Sequence, residues 1–465
     1  MEAGVIARPP GGTDASGGTD ASSGIDACRE TDASSETEAS GGGRAGKPIR
    51  VALCGEYPVR ENEIHGGGVQ SVTHVLAHAL ARRDDVECHV VCATRIPAGA
   101  GPLDRTAGRL RVHFVARPPL PRLATCRAWD VPRLVRRIRA LGPEIVHGQG
   151  QDRHGLAAVR CGLPCVVTPH GVIFVESGLQ RRGVLDLKGA IKKGMMDGNE
   201  REVFRCAPDM ILISPYLRQA YGTLLTARAH PIDNPIDETF FRLERRPVAG
   251  RLLFVGTVVP RKQVTILIAA LARLVTAAGG ARPSPYELRI VGPLFGDVYE
   301  AAVRQAIAVA GIGDSVTLTG GVSHEQLLEE YRTAEILLLA SREETAPQVI
   351  AQAMACGLPV VSADVGGVSD MLDAGRCGLV YPPGDAEACA AAIAAIHGDD
   401  GRRAAMSGHA RDAAARRFHP DSVAAKTVAV YREILERDGG SSSARAVGGA
   451  GAARPAPSRR SSPGD

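Results

Sequence analysis

One pattern constrains this chain more than any other: short apolar runs alternate with segments of helical apolar spacing, first over 49–168 and again over 251–362. An apolar run too short for a helix, closed by glycine, proline or polar residues, reads as a strand buried on both faces. In the first pass, 49–53, 88–93, 112–115, 145–147 and 165–168 read as strands, and 69–81, 131–141 and 154–161 as helices. In the second, 251–255, 288–291, 316–319, 336–339 and 359–362 read as strands, and 265–277, 298–310, 324–333 and 347–355 as helices. Alternation of this kind requires parallel strands joined by crossover helices, so each pass predicts a doubly wound α/β domain. Two such domains facing each other make a central cleft, and ligands bind at the carboxyl ends of the strands.

The length of 465 residues suits two domains once the ends are set aside. Residues 1–47 repeat Gly-Gly-Thr-Asp-Ala-Ser at 11–16 and 17–22, have almost nothing apolar to bury, and are expected to be a disordered tail. The Ser-, Gly-, Arg- and Pro-rich stretch 438–465 reads the same way. Between them, 48–246 forms the predicted N-terminal domain and 247–417 the C-terminal one, joined through the polar, proline-containing segment 230–247. The amphipathic stretch 421–435 lies within a helix placed at 418–437, which is expected to pack back on the first domain.

The tails carry −4 and +2 of a net charge of +4, which leaves the core at +6. Much of this sits between Gly101 and Ala140, where ten arginines meet only Asp104 and Asp130. Such a run is a solvated face, or a surface for anionic lipid or phosphorylated substrates. The eleven cysteines are odd in number and scattered, so they read as buried free thiols in a reducing compartment. With no signal peptide and no run of ~18 apolar residues, a cytoplasmic protein is expected. The lysines 188, 192 and 193, interleaved with Leu185, Leu187, Ile191 and Met195, mark a candidate contact with the inner face of an anionic membrane, or a helix packed at the domain surface. Nucleic acid is disfavoured, because the basic residues lack interleaved stacking aromatics.

Three stretches carry chemistry. Gly66, Gly67 and Gly68 follow a strand and loop and open a helix, where glycine lets backbone approach a phosphate, although a plain tight turn explains them too. No Gly-x-Gly-x-x-Gly occurs in this strand, and no Lys-Ser or Lys-Thr closes a P-loop, so a dinucleotide fingerprint and a Walker motif are both excluded. Gly256 and Thr257 through Arg261 and Lys262 again follow a strand and precede a helix. A planar fork beside a mobile point charge suits a diphosphate there. Glu344 lies in the loop before a helix that starts near Pro347 and ends at Gly357, with Gln348 and Gln352 one turn apart on it. A carboxylate at a strand end accepts hydrogen bonds from hydroxyls, and sugar plus diphosphate is a ligand that uses both features.

The order of these motifs, with Thr168-Pro-His170-Gly171 and Asn234-Pro-Ile-Asp237 between them and Ala353 to Val361 after, resembles the retaining nucleotide-sugar glycosyltransferases of family 4 between Pro48 and about Arg437. The resemblance implies a GT-B fold of two Rossmann-like domains, with the donor held mainly by the second and the acceptor by the first. It implies that Gly67 and Gly68 approach the donor diphosphate, that His170 sits by the donor sugar, and that Arg261 and Lys262 neutralise the leaving group. Glu344 matches the sugar-binding glutamate of the family's pair; Ala346, Pro347 and Gln348 line the same donor site, and Val322, Ser323 and Leu327 fall on the nucleobase wall. The second glutamate of the pair is Gln352 here, and Thr257 replaces a usual arginine.

The expected reaction moves a hexosyl group from a nucleoside diphosphate sugar to a hydroxyl of a glycan, lipid or small molecule, with retention and with no metal or other cofactor. A nucleotide-sugar epimerase of the same fold, or a non-catalytic nucleotide-sugar binder, are the alternatives. His170 has a second reading as a turn-capping residue, and His147 at another strand end is evenly balanced between structure and function.

Overall fold

A computed structural model of the chain describes residues 47–60, 67–96, 103–118, 126–172, 187–280, 283–296 and 298–447. Of the expected tails at 1–47 and 438–465, residues 1–46 and 448–465 fall outside the described residues, as do Gly66 and Leu185.

The first half is an eight-stranded sheet: β1 (Ile49–Cys54), β2 (Val86–Thr94), β3 (Asp104–Ala107), β4 (Leu110–Ala116), β5 (Ile145–Gln149), β6 (Cys165–Thr168), β7 (Asp209–Leu212) and β8 (Arg228–Pro231). Their spatial order is β3-β4-β2-β1-β5-β6-β7-β8, parallel except for the β3–β4 hairpin. Its helices are α1 (Gly68–Ala81), α2 (Val131–Leu141), α3 (Arg153–Arg160), α4 (Leu187–Cys206) and α5 (Pro215–Tyr221). The short α6 (Glu238–Phe241) leads into the second half.

That half is a six-stranded, wholly parallel sheet of β9 (Arg251–Val255), β10 (Glu287–Val291), β11 (Val316–Gly320), β12 (Ile336–Leu339), β13 (Val360–Ala363) and β14 (Gly378–Tyr381), in the order β11-β10-β9-β12-β13-β14. It carries α7 (Val264–Ala277), α8 (Val298–Ala310), α9 (His324–Thr333), α10 (Gln348–Cys356), α11 (Val368–Met371), α12 (Ala386–His397) and α13 (Asp400–Arg417). Strand order reverses between β1 and β5 and again between β9 and β12, and these switch points open crevices at the strands' carboxyl ends.

Strand burial explains the apolar runs. In β1, Val51 and Leu53 face one core while Ala52 and Cys54 face the other, all fully buried. In β9, Leu253 faces one side, and Leu252 and Phe254 the other. Each such Leu or Val contributes about 1.5–3 kcal/mol by leaving water. Ser323 closes a capping box with Gln326 at the start of α9, and Gly142, in the left-handed region at φ 57°, ends α2.

Four strands lie outside the apolar pattern. β3, Asp-Arg-Thr-Ala, is a mostly exposed edge strand, and β8, Arg-Ala-His-Pro, is an edge as well. β7 is fully buried yet begins with Asp209, whose charge is met by His230 Nε2 at 3.0 Å and by Arg437. β14 has only four residues, starting at Gly378, whose missing Cβ would lie 2.3 Å from the Val360 carbonyl oxygen. The last helix, α14 (Pro420–Val447), returns to the first sheet, where Val423, Ala424, Val428, Tyr431 and Ile434 join the core of α1, β1 and β2. It is continuous past Asp438, where the sequence suggested a tail.

Much of the arginine-rich segment is paired locally. Arg109 meets Asp84 at 2.6 Å, Arg137 meets Asp104 at 2.6 Å, Arg117 meets Asp130 at 2.9 Å, and Arg133 stacks on Trp129 at 4.0 Å. Nine cysteines are free thiols, all buried except Cys206. No described helix is long and apolar enough to cross a membrane.

Candidate active site

The second sheet's switch point assembles a cluster of charge. After β9 the chain passes through Gly256, whose N–H donates to the Val291 carbonyl at 2.8 Å. Gly292, following β10, lies so close that a Cβ there would sit 2.1 Å from the Gly256 oxygen, so the two loops stack backbone on backbone. A single 3₁₀ turn, Pro260–Lys262, then sets Arg261 and Lys262 ahead of α7. Across the crevice, the loop after β12 brings Glu344 to them. The Arg342 N–H donates to the Arg261 carbonyl at 2.9 Å, and Arg261 Nη1 donates to the Glu343 carbonyl at 2.7 Å.

Glu344 is buried and accepts from Lys262 Nζ, and from Ser341 Oγ at 2.7 Å, with Arg261 Nη1 3.7 Å away. Burial pushes its carboxyl up, but the charges of Lys262 and Arg261 and the bonds from Lys262 and Ser341 outweigh this and hold it below the usual range. Behind it, Gly366 at φ 54° leaves room that a Cβ would fill, 1.8 Å from the Glu344 carbonyl oxygen, and the Gly367 N–H donates to the same oxygen at 3.1 Å.

Gln348 and Gln352 occupy one face of α10. Pro347 stands at the N-cap of that helix, one position ahead of the first-turn placement read from sequence. The Gln352 amide oxygen accepts from the hydroxyl of fully buried Tyr331 at 2.9 Å, which leaves the amide N–H groups as what Gln352 offers a ligand. Val322 and Ala346 pack against the core beneath α10, and Thr257 is half-buried in the β9 loop.

The first half approaches from the other side. α1 begins at Gly68, and a Cβ there would meet Gln348 Cγ at 3.5 Å, which puts Gly68 against the head of α10, whereas a Cβ on Gly67 would meet nothing within 4 Å. Tyr216 Oη donates to Glu343 Oε1 at 2.7 Å, a second tie between the halves. His170, beyond β6, is bonded elsewhere. Its Nε2 lies 2.7 Å from Gln149 Oε1, Gln149 Nε2 lies 3.0 Å from His147 Nε2, and His147 Nδ1 lies 2.7 Å from Tyr431 Oη. Thr168 Oγ1 also reaches His147 Nε2 at 2.7 Å. Assigned from these partners, the protons sit on His170 Nε2 and His147 Nδ1. Burial pushes His147 down to about 3 and His170 to about 4, so both rings are neutral near pH 7.

Arg261, Lys262 and Glu344 therefore touch, Gly68 meets Gln348, and His170 and Gln352 belong to separate networks. Gln149, Tyr216, Gly292, Gly366 and Tyr331 escaped sequence reasoning. A polar residue or Gly-Gly pair closing an apolar strand is the signal that marks Gln149 and Gly366; nothing local marks Tyr216 or Tyr331.

Two doubly wound domains, with a cationic turn at the switch point of one and the glycine that opens α1 of the other against α10, define the GT-B class of glycosyltransferases. The same architecture is seen in a sucrose-phosphate synthase from Thermosynechococcus elongatus, which matches with a TM-score of 0.67 at 22% identity over 84% of this chain and 100% of that one. Residues 66–240 match the family model Glycosyltransferase Family 4 and residues 249–399 the model Glycosyl transferases group 1. A D-inositol 3-phosphate glycosyltransferase of Xylanimonas cellulosilytica is 34% identical over 306 residues, 61% of this chain and 69% of that protein. A GDP-mannose-dependent alpha-mannosyltransferase of Mycobacterium tuberculosis is 26% identical over 73% of this chain and 85% of its own length. The chain spans less than two thirds of the length of several other curated relatives it matches. The chain belongs to glycosyltransferase family 4.

Proposed function

We propose that this enzyme transfers a hexosyl group from a nucleoside diphosphate sugar to an acceptor hydroxyl with retention of configuration and without a metal ion. The observation that carries the proposal is the convergence of Arg261 and Lys262 on Glu344 at the second switch point. As the anomeric carbon–oxygen bond breaks, its electron pair goes to the diphosphate, and Lys262 and Arg261 stabilise the charge that grows there. The acceptor oxygen bonds the anomeric carbon on the same face, and its proton passes to the departing phosphate oxygen. Glu344, held by Ser341 and Lys262, accepts hydrogen bonds from sugar hydroxyls. His170, with its Nε2 proton committed to Gln149, offers Nδ1 as an acceptor to the sugar. Gln352 offers N–H groups to the nucleotide where a carboxylate would offer lone pairs.

Names of relatives bear on the substrates: a nucleotide-sugar donor is named for the mycobacterial protein and a phosphorylated polyol for that of Xylanimonas. The free thiols fit a reducing, cytoplasmic setting, and the lysines of α4 are the segment we assign to peripheral contact with anionic lipid.

The test is product stereochemistry. With EDTA present, proton NMR of the product formed from an α-linked donor is expected to show an α anomeric signal. A β product, or activity restored only by added divalent metal, would overturn the mechanism. Nucleoside diphosphate binding without sugar reaching any acceptor or water would identify a non-catalytic binder.

A further inference from the structure

Beyond β7 the turn Ser214–Tyr216 opens α5 and reaches the second half. Ser214 caps that helix, its Oγ accepting from the Tyr216 N–H at 3.2 Å, and Pro215 is its first residue, so the Tyr216 side chain leaves the first half from a fixed point. The Tyr216 hydroxyl donates to Glu343 Oε1 at 2.7 Å. We propose that Tyr216 is a positioning residue for the donor site, holding from the first half the loop after β12 that carries Glu343 and Glu344. The proposal rests on the reading that Arg261, Lys262 and Glu344 handle the nucleotide sugar.

Glu343 is the residue through which this hold reaches the cations. Its carboxylate takes the Tyr216 hydroxyl, and its backbone carbonyl takes Arg261 Nη1 at 2.7 Å. The residue is only 8% exposed. A carboxylate so far from water, deprived of the phenol, is driven to another partner, and the backbone that carries it follows.

Packing adds a second hold. Gly366 and Gly367, after β13, lie between the turn and the loop. A Cβ on Gly366 would sit 3.4 Å from Tyr216 Cε1 and 1.8 Å from the Glu344 carbonyl oxygen. One on Gly367 would sit 2.3 Å from Ser214 Oγ and 2.2 Å from the Thr345 carbonyl oxygen. Segments of both halves therefore stack here with no room for a side chain between them. Ala346 packs against the core beneath α10 and also against the core of the first half, where Tyr216 itself packs. The loop is thus held from the first half at Glu343 and at Ala346, with Glu344 between. A carboxylate on a loop locked in this way keeps its aim and loses little further order when a donor binds.

The experiment compares the full chain with Tyr216→Phe, Glu343→Gln and the double variant Tyr216→Phe/Glu343→Leu, by hydrogen–deuterium exchange at 341–346 and by nucleoside diphosphate release from UDP-, GDP- and ADP-sugars. Tyr216→Phe keeps the ring and removes the hydroxyl. It is expected to speed exchange at 341–346 and to lower kcat/KM for the donor, each about tenfold, with exchange in β9 and β12 unchanged. Glu343→Gln keeps an acceptor oxygen for the phenol and is expected to lose less rate than Tyr216→Phe. The double variant leaves neither partner unsatisfied, so it is expected to melt near wild type while keeping the fast exchange and the low kcat/KM, which separates positioning from folding. Unchanged exchange at 341–346, or faster exchange in an enzyme whose kcat and donor KM are unaltered, would overturn the proposal. If wild type releases nucleoside diphosphate from none of the donors, the donor reading fails, and faster exchange at 341–346 in Tyr216→Phe and in the double variant still supports the tie.

Discussion

Glu344 keeps a negative charge where water barely reaches, a condition that costs several kcal/mol unless partners offset it. Lys262, Arg261 and Ser341 do so, and the same contacts aim the carboxylate. Glu344→Ala is expected to weaken binding of the intact nucleotide sugar more than binding of the bare nucleoside diphosphate, as calorimetry with both ligands would show. Equal losses would mean that the residue supports the fold and not the sugar. A second effect concerns His147 and His170. An unfolded chain takes up protons on histidine near pH 6.5, whereas these rings resist until about 3 and about 4. Stability therefore falls as pH is lowered from about 6.5 toward about 4, since the unfolded state binds more protons in that window. Urea midpoints at pH 7 and pH 5 test this, and His147→Asn is expected to flatten the difference. An unchanged slope in that variant would remove His147 from the account.

Among elements, α14 matters most, because it is far from the site in sequence yet supplies the Tyr431 hydroxyl at the outer end of the chain through His147 and Gln149 to His170. Tyr431→Phe is expected to cost about 1–3 kcal/mol by leaving a buried ring N–H without its partner. It is also expected to raise the donor KM several-fold with kcat less affected. A lower melting temperature with unchanged KM would confine Tyr431 to packing. The elements differ in how plainly the sequence announces them. Strands such as β1 and β9, buried on both faces, stand out as unbroken apolar runs, and so do the helices that follow them. β7 does not, because buried Asp209 is made tolerable by Arg437 and His230 from distant segments. The convergence of Arg261 and Lys262 on Glu344 is legible to the extent that each follows a strand of the second sheet. The Tyr331–Gln352 and Tyr216–Glu343 contacts were not, since each joins residues whose proximity only the tertiary fold creates.

At the scale of the whole molecule, two sheets of the same winding present their switch points to each other, and each contributes what the other lacks. The second brings Arg261 and Lys262 to Glu344; the first brings Gly68 to the head of α10 and holds the His170 network. Low aromatic content, 4% of the chain, fits a cleft that works by charge and hydrogen bonds with little stacking. The central claim is that Lys262 and Arg261 drive departure of the diphosphate. It is tested most directly by the rate of nucleoside diphosphate release from UDP-, GDP- and ADP-sugars by wild type and Lys262→Ala at saturating donor. The account predicts saturable release with at least one donor and a loss of about a hundredfold or more in the variant. Release at the wild-type rate from folded Lys262→Ala would contradict it.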